Sequence, residues 1–445
     1  MQPDEMIKAR PVEATPRRFL TLAVPIMLAH ITEPLLGLVD TAAIGRLNDI
    51  PMLGAVAIGA IFFDFMFWGL GSLRPSTAGL TAQAVGAGSD YAVRLTAYRA
   101  LIVALLLGLA MVLFRNPIID LALYLLSPGE AVQHAARTYI GIRIWSAPFA
   151  LANYAILGSL IGRGRTDLGL WLQVSINAVK VTLAILLVAV AGFGIAGAAV
   201  GTLLAEAVGT ALGFAVMTRL GAFAGPVAFK DLTNPKALRR LLGVNVDIMI
   251  RTLALLTAFG FFTSESGRMG DVTLAANQVL NLLFLLSVYF LDGFATAGEQ
   301  LCGQALGARD ESGFRQSVSL VLRFSVLTGL ALTGLIFAFG NQLIGLIATH
   351  AEIRAYADDY LIYAALTPLA GALAFAFDGI FIGATWTKAM RNLMLLALTL
   401  YFAAFAMLSD RGNAGLWIAV LIFLFVRGIG QGLAYPWLVR HAFAR

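Results

Sequence analysis

The sequence specifies an all-α integral membrane protein of twelve spans built as two related halves. Three observations lead there: an apolar composition, a dozen apolar blocks, and a set of segments that recurs about 221 residues later. Of the 445 residues, 59% are hydrophobic and 13% are charged, and the mean hydropathy is +0.84. Soluble domains are about half apolar and about a quarter charged, so lipid has to be part of the solvent. The single Cys302 excludes an internal disulfide framework and any multi-cysteine metal site. The apolar stretch after residue 18 carries no small-residue cleavage pattern of a signal peptide.

A spanning helix needs about 20 apolar residues. Blocks of that kind run over 19–44, 53–86, 92–114, 133–162, 168–192, 194–218, 241–264, 272–305, 315–339, 353–384, 389–408 and 414–438. Several exceed one crossing, so tilt and bending are expected near Pro25, Pro34, Pro75, Pro148 and Pro368, the first three as hinges. Lysine and arginine in the connections fall 18 on the side of the N-terminus and six on the other, with seven more inside spans. The positive-inside rule then puts both termini in the cytoplasm, and a bacterial inner membrane is the expected location. The net charge of +6 is explained by that placement and not by nucleic acid.

The repeat is read from three alignments. Arg17-Arg18-Phe19 matches Arg239-Arg240-Leu241 at an offset of 222, and Gln83-Ala84-Val85-Gly86-Ala87 matches Gln304-Ala305-Leu306-Gly307-Ala308 at 221. Tyr139, Gly158, Ile161, Gly162 and Thr166 match Tyr360, Gly379, Ile382, Gly383 and Thr387, again at 221. Six spans per half is an even number, so both halves enter from the same side and are parallel repeats about an axis along the membrane normal. The implied organisation is a cytoplasmic segment 1–18, an N-lobe 19–218, a cytoplasmic linker 219–240, a C-lobe 241–438 and a cytoplasmic tail 439–445. Such carriers place a site within or between lobes and work by rocking.

Ionisable residues inside a span are costly and need a partner, a cavity or a function. His30, Glu33 and Asp40, with Gly37, fall within an arc of roughly 80° on the first span. Lys180 in the fifth span and Arg74 in the second offer opposite charge. Asp64 and Trp68 share a face of the second span with Gly71 and Pro75, and Glu206 lies in the sixth. The stripe is either an ion-pair network locking helices or a protonatable cluster lining a wet cavity. Two carboxylates and a histidine exceed what one lysine can satisfy, and crowded carboxylates in a low dielectric share protons; the second reading is the stronger. In the second half, Asp247 and Arg251 at i, i+4 read as a structural intrahelical pair. Gln278, Asn281, Asp292 and Glu299 on the eighth span and Asp378 on the tenth are polar candidates, divided evenly between structure and transport. The glycine-rich stretches lack the Lys and Ser/Thr of a phosphate-binding loop, so no ATP-driven pump is expected, and no nucleophile–base set points to an enzyme. The 45 glycines read as close helix packing and hinges.

Several segments in this order resemble the multidrug and toxic compound extrusion (MATE) family. They are Leu35-Leu36-Gly37-Leu38-Val39-Asp40-Thr41-Ala42, Gly79-Leu80-Thr81-Ala82-Gln83-Ala84, Asn245-Val246-Asp247-Ile248-Met249-Ile250-Arg251-Thr252 and Leu274-Ala275-Ala276-Asn277-Gln278. Phe290-Leu291-Asp292-Gly293-Phe294-Ala295 and Asp378-Gly379-Ile380-Phe381-Ile382-Gly383-Ala384-Thr385 point to its DinF branch. The likeness covers roughly residues 17–440. It implies two six-helix lobes in a V and cation-coupled export of bulky, amphipathic compounds, with Asp40 as the coupling carboxylate. It also implies a substrate cavity in the N-lobe, lined by Asn177, Thr202, Asp64, Trp68, Glu206 and Arg143. Proton coupling is expected and sodium coupling is the alternative; no cofactor, metal or nucleic acid is implied, and the partners are the bilayer and small amphipathic substrates, with the protein a monomer.

Two departures bear on mechanism. The family's fifth span tends to read Asn-x-x-Asn-x-x-x-Asp, whereas this chain has Asn177, Lys180 and Ala184. His30 and Glu33 stand where relatives tend to carry small polar or neutral residues. Glu33 is therefore read as the missing carboxylate supplied from another helix, with Lys180 responding to protonation of Asp40. Alternatively, Lys180 is a tethered counter-cation that shifts preference toward anionic or zwitterionic amphiphiles. A lipid-linked-precursor flippase of the same superfamily is the rival function.

Overall fold

The computed structural model describes the chain from residue 12 to 45 and from 50 to 444, with the side chains of 32–51 outside the description. The expectations that fall on Glu33, Pro34 and Asp40 therefore lie outside the described side chains. The helices are α1 (Pro16–Gly45), α2 (Ile50–Leu70), α3 (Leu73–Gly86), α4 (Asp90–Leu113), α5 (Arg115–Leu126), α6 (Glu130–Arg143), α7 (Ala147–Gly162), α8 (Thr166–Ala184) and α9 (Gly194–Arg219). They continue as α10 (Phe229–Leu232), α11 (Pro235–Arg268), α12 (Asp271–Gly307), α13 (Glu311–Ile347), α14 (Ala351–Gly383), α15 (Thr387–Leu408) and α16 (Asn413–Phe443). Among the described residues, 11 helical stretches are long and apolar enough to span a membrane; α1, at 30 residues, is a twelfth of spanning length. A helix satisfies every backbone N–H and C=O within itself, which is what hydrocarbon demands. Leucines such as Leu106 and Leu113 on α4 are more than half exposed, a condition that only lipid makes inexpensive.

The spans match the apolar blocks, and their breaks have a common chemical cause. Pro75 has no N–H for the Gly71 carbonyl, which instead accepts from the Arg74 N–H at 3.1 Å, and the helix parts between α2 and α3. Pro148 deprives the Ile144 carbonyl in the same way. The Ala147 N–H takes that carbonyl, and the tight turn Ile144–Ser146 separates α6 from α7. Pro368 shows the other solution. The Thr367 hydroxyl donates to the freed Ala364 carbonyl at 2.6 Å, and α14 stays continuous. Pro25 likewise lies inside the unbroken α1. A wide helical turn over Ile185–Val190 closes the fifth span, and neither it nor α5 was expected from the sequence.

The chain forms two compact units: Met1–Met27 with Gly86–Gly88 and Val246–Arg445, and Leu28–Val85 with Ser89–Asn245. The division falls inside α1 and inside α11, not at the expected linker 219–240. That linker is itself tied to the second of these units. The Tyr91 hydroxyl donates to Asp231 Oδ2 at 2.7 Å, and the Arg99 guanidinium donates to the Asp231 and Leu232 carbonyls.

Within each unit the leading turns of the other repeat are held in place. The unit built on the second repeat takes the start of α1. Arg18 Nη2 donates to Gln304 Oε1 at 2.8 Å, and Phe19 stacks on Phe294 and packs on Phe324. The unit built on the first repeat takes the start of α11. Arg240 Nη2 donates to Gln83 Oε1 at 2.6 Å, and Leu241, the counterpart of Phe19, is buried in its core with Leu73, Leu101 and Leu160. Both hydrogen bonds join the same two repeat positions, once in each direction.

Glycine spacing repeats as well. A Cβ on Gly158 or Gly162 would lie 2.3 or 2.5 Å from the carbonyls of Arg74 and Ala78. On Gly379 or Gly383 it would lie 2.0 or 2.4 Å from those of Ala295 and Glu299. All four contacts sit at the 221 offset, so one close crossing, α3 on α7 and α12 on α14, is built twice.

Candidate functional site

In the unit of the first repeat, the break after α6 places Arg143 in mid-span, at the end of one helix and just before the next. Its guanidinium lies 4.3 Å over the Phe63 ring and donates to the Tyr139 hydroxyl at 2.9 Å, so an aromatic face and a phenol hold it in place. Arg143 and Lys180 are both electrostatic neighbours of Asp64 and of Glu206. Four of the expected residues, two acidic and two basic, are thus gathered from α2, α6, α8 and α9.

Glu206 is fixed by groups that the sequence did not single out. Asn153 Nδ2 on α7 donates to Glu206 Oε2 at 2.7 Å and to the Glu206 carbonyl at 3.1 Å. The Thr210 hydroxyl lies 3.1 Å from Asn153 Oδ1 and 3.0 Å from the Glu206 carbonyl. Asn153 and Thr210 are buried, as a polar brace inside an apolar wall must be if its bonds are to count. The signal was a lone amide in the otherwise apolar run Ala150–Ile156.

The other expected positions divide. Asn177 accepts from Gln173 Nε2 at 3.2 Å and is half-buried. Thr202 is buried, and its hydroxyl bonds back to the Ala198 carbonyl. Trp68 is exposed on the same helix as Asp64, and His30 is buried on α1.

The unit of the second repeat is arranged differently. Asp378 Oδ2 accepts from both Arg251 and Arg427, the latter at 2.6 Å, and Oδ1 accepts from Gln431 Nε2 at 2.8 Å. This corrects the expected pair of Asp247 with Arg251. Asp247 instead binds the Arg391 guanidinium at 2.6 Å and the Thr387 hydroxyl at 2.9 Å. Two partners from another helix satisfy a buried carboxylate more completely than one neighbour a turn away, while Arg251 faces α14. Both Asp378 oxygens thus face donors, whereas a bound cation is held by acceptors. Asn277 is the hub of a second buried network. Its Nδ2 reaches Ser266 Oγ and Asn413 Oδ1, both at 2.7 Å, and its Oδ1 accepts from Asn413 and Trp417. Gln278 is exposed beside Thr263, Asn281 and Asp292 are half-buried, and Glu299 is buried.

Comparison with known proteins agrees with the duplication. A family model described as MatE matches residues 25–186 and again residues 248–408. The chain is 39% identical over 425 residues to DNA damage-inducible protein F of Escherichia coli (strain K12), covering 94% of this chain and 90% of that protein. It is 28% identical to a probable multidrug resistance protein NorM of Bradyrhizobium diazoefficiens, covering 92% of this chain and 90% of the relative. A crystal structure of MATE in the bent conformation superposes with a TM-score of 0.87 at 20% identity, covering 99% of each chain.

Proposed function

The chain belongs to the MatE family, and on that footing we propose that it is a proton-driven antiporter exporting amphipathic organic compounds by alternating access. The observation that carries the coupling site is the gathering of Asp64, Glu206, Arg143 and Lys180 in one unit. Two carboxylates that share two cationic neighbours titrate as a coupled set, so that a proton taken up by one changes the charge balance felt by the other. Asp40 on α1 is the coupling carboxylate, with Glu33 as its companion acid. When Asp40 is protonated, the positive charge of Lys180 is less fully compensated, and α1 bends near Pro25 and Pro34. The relatives' names as multidrug resistance proteins support organic amphiphiles as the substrate class. The protein sits as a monomer in a bacterial inner membrane with both termini cytoplasmic.

Lys180 bears on the choice of ion. A sodium site needs several neutral oxygens around a carboxylate, and a fixed ammonium beside it opposes that. The flippase reading needs one strongly cationic pocket, whereas Arg143 and Lys180 are matched by Asp64 and Glu206.

The test is efflux from proteoliposomes under an imposed pH gradient or an imposed sodium gradient. Wild type is expected to respond to the pH gradient, and Asp40→Asn to lose that response. Efflux by the variant at the wild-type rate removes Asp40 from the mechanism, and a response to sodium alone replaces the proton.

A further inference from the structure

The cluster around Asp378 holds more positive charge than it can use. Arg251 on α11 and Arg427 on α16 both bind the same carboxylate oxygen, and Gln431 takes the other. One carboxylate faces two guanidinia, which leaves one positive charge uncompensated in a buried site. Asp378 is the sole carboxylate that bears electrostatically on Arg427 among the described residues.

The donors show the same surplus. Arg427 is 1% exposed, yet among the described residues its Nε and Nη1 have no hydrogen-bond partner, and neither has Arg251 Nε. The Phe375 and Phe423 rings lie 5.7 and 5.5 Å from the Arg427 guanidinium carbon. Aromatic faces offset part of the charge but accept little from N–H edges. An arginine buried in this way costs several kcal/mol unless its charge and donors are met. Gln431 Oε1 is also without a partner among the described residues. The Arg251 side chain is 15% exposed, so the cluster is not sealed on that side.

We propose that Arg251 and Arg427 form a binding site for a monovalent anionic group, a halide or a carboxylate, beside Asp378. The group accepts from Arg427 Nη1, one of the donors left unmet beside the bond to Asp378, and it shares the two guanidinia with Asp378. Unmet guanidinium donors and an excess of positive charge over Asp378 select a monoanion over a cation or a neutral solute, since charge-assisted bonds to guanidinium are the strongest available here. The site does not depend on the transport reading, because binding is measured without a gradient.

The experiment uses the full chain purified in detergent with gluconate as the only anion. Its melting temperature is followed as chloride, or separately acetate, replaces gluconate at constant ionic strength. A ligand that binds only the folded state raises the melting temperature saturably, here by about 3 °C. Response to chloride identifies a halide site, and response to acetate alone identifies a carboxylate site. Arg427→Gln leaves Arg251 and Asp378 as a matched pair and is expected to fold and lose the response. Asp378→Asn removes the internal competitor and is expected to respond more steeply than wild type, an outcome that a purely structural role of the cluster does not produce. No response of wild type to either anion, or an equal response in Arg427→Gln, overturns the proposal. With bromide in place of chloride, crystals should show an anomalous peak beside Arg427.

Discussion

The two units share a scaffold and differ in how they treat charge. In the unit of the first repeat, Asp64 and Glu206 both have Arg143 and Lys180 as electrostatic neighbours, and Glu206 is braced by a neutral amide. In the unit of the second repeat, Asp378 is bonded directly by two guanidinia and an amide, and Asp247 by a guanidinium and a hydroxyl. Yet the glycine–carbonyl crossings of the two are superimposable in sequence. Duplication preserved what sets the distance between backbones and released what sits in the spans. A carboxylate bonded directly by guanidinia keeps its charge over a wider pH range than one that is not.

Breaking the fixed cluster should give the largest effect. Asp378→Asn leaves two buried guanidinia facing each other without a counter-charge, and loss of one partner from a buried ion pair costs about 3–5 kcal/mol. Thermal or denaturant unfolding in gluconate should show that loss. Asp64→Asn, at an exposed position, should leave stability within about 0.5 kcal/mol. Equal losses in the two variants would dissolve the contrast between the units.

The shared scaffold makes the next prediction. Gly158→Val and Gly379→Val each drive a branched side chain into a carbonyl that a bare Cβ would already approach to 2.3 or 2.0 Å. Overpacking of that kind costs about 1–3 kcal/mol. The two variants should fall within about 1 kcal/mol of each other by the same measurement, since one crossing is built twice. A large disparity would show that the repeats no longer share their packing.

Much of this was legible in the sequence, for definable reasons. Spans follow from apolar length, and the Gly158/Gly379 and Gly162/Gly383 pairs follow from the offset, because both are properties of one segment at a time. The gathering of Asp64, Arg143, Lys180 and Glu206 was anticipated as a list, not as a geometry. What stayed hidden were partners on other helices: Asn153 for Glu206, Arg391 for Asp247, and Arg427 and Gln431 for Asp378. Sequence spacing offered Asp247 and Arg251 to each other because i, i+4 neighbours are always near. It carries no measure of which helix lies against which face, and in this unit a better partner stood across the interface each time. The exchange of helix ends was hidden for a related reason. Arg18 and Gln304 are each visible as repeat positions, but that one half's arginine binds the other half's glutamine is a fact about three dimensions.

That exchange supplies the smallest predicted effect and the most direct test of the symmetry. Arg18 binds Gln304 and Arg240 binds Gln83 at 2.8 and 2.6 Å, each pinning the start of one repeat's first helix onto the other repeat. A hydrogen bond from a charged donor at a partly solvated site contributes about 1 kcal/mol, so Arg18→Ala and Arg240→Ala should each lower stability by about that much and by similar amounts. Their effect on transport should exceed their effect on stability. Each bond holds the start of a helix that the division between the two units cuts, and a weaker hold on that start shifts the population of the states the helix takes part in. Efflux in proteoliposomes should therefore change in the same direction for both single variants and further for the double variant. Opposite changes would mean that the two bonds, though equivalent in the repeat, serve different steps of the cycle.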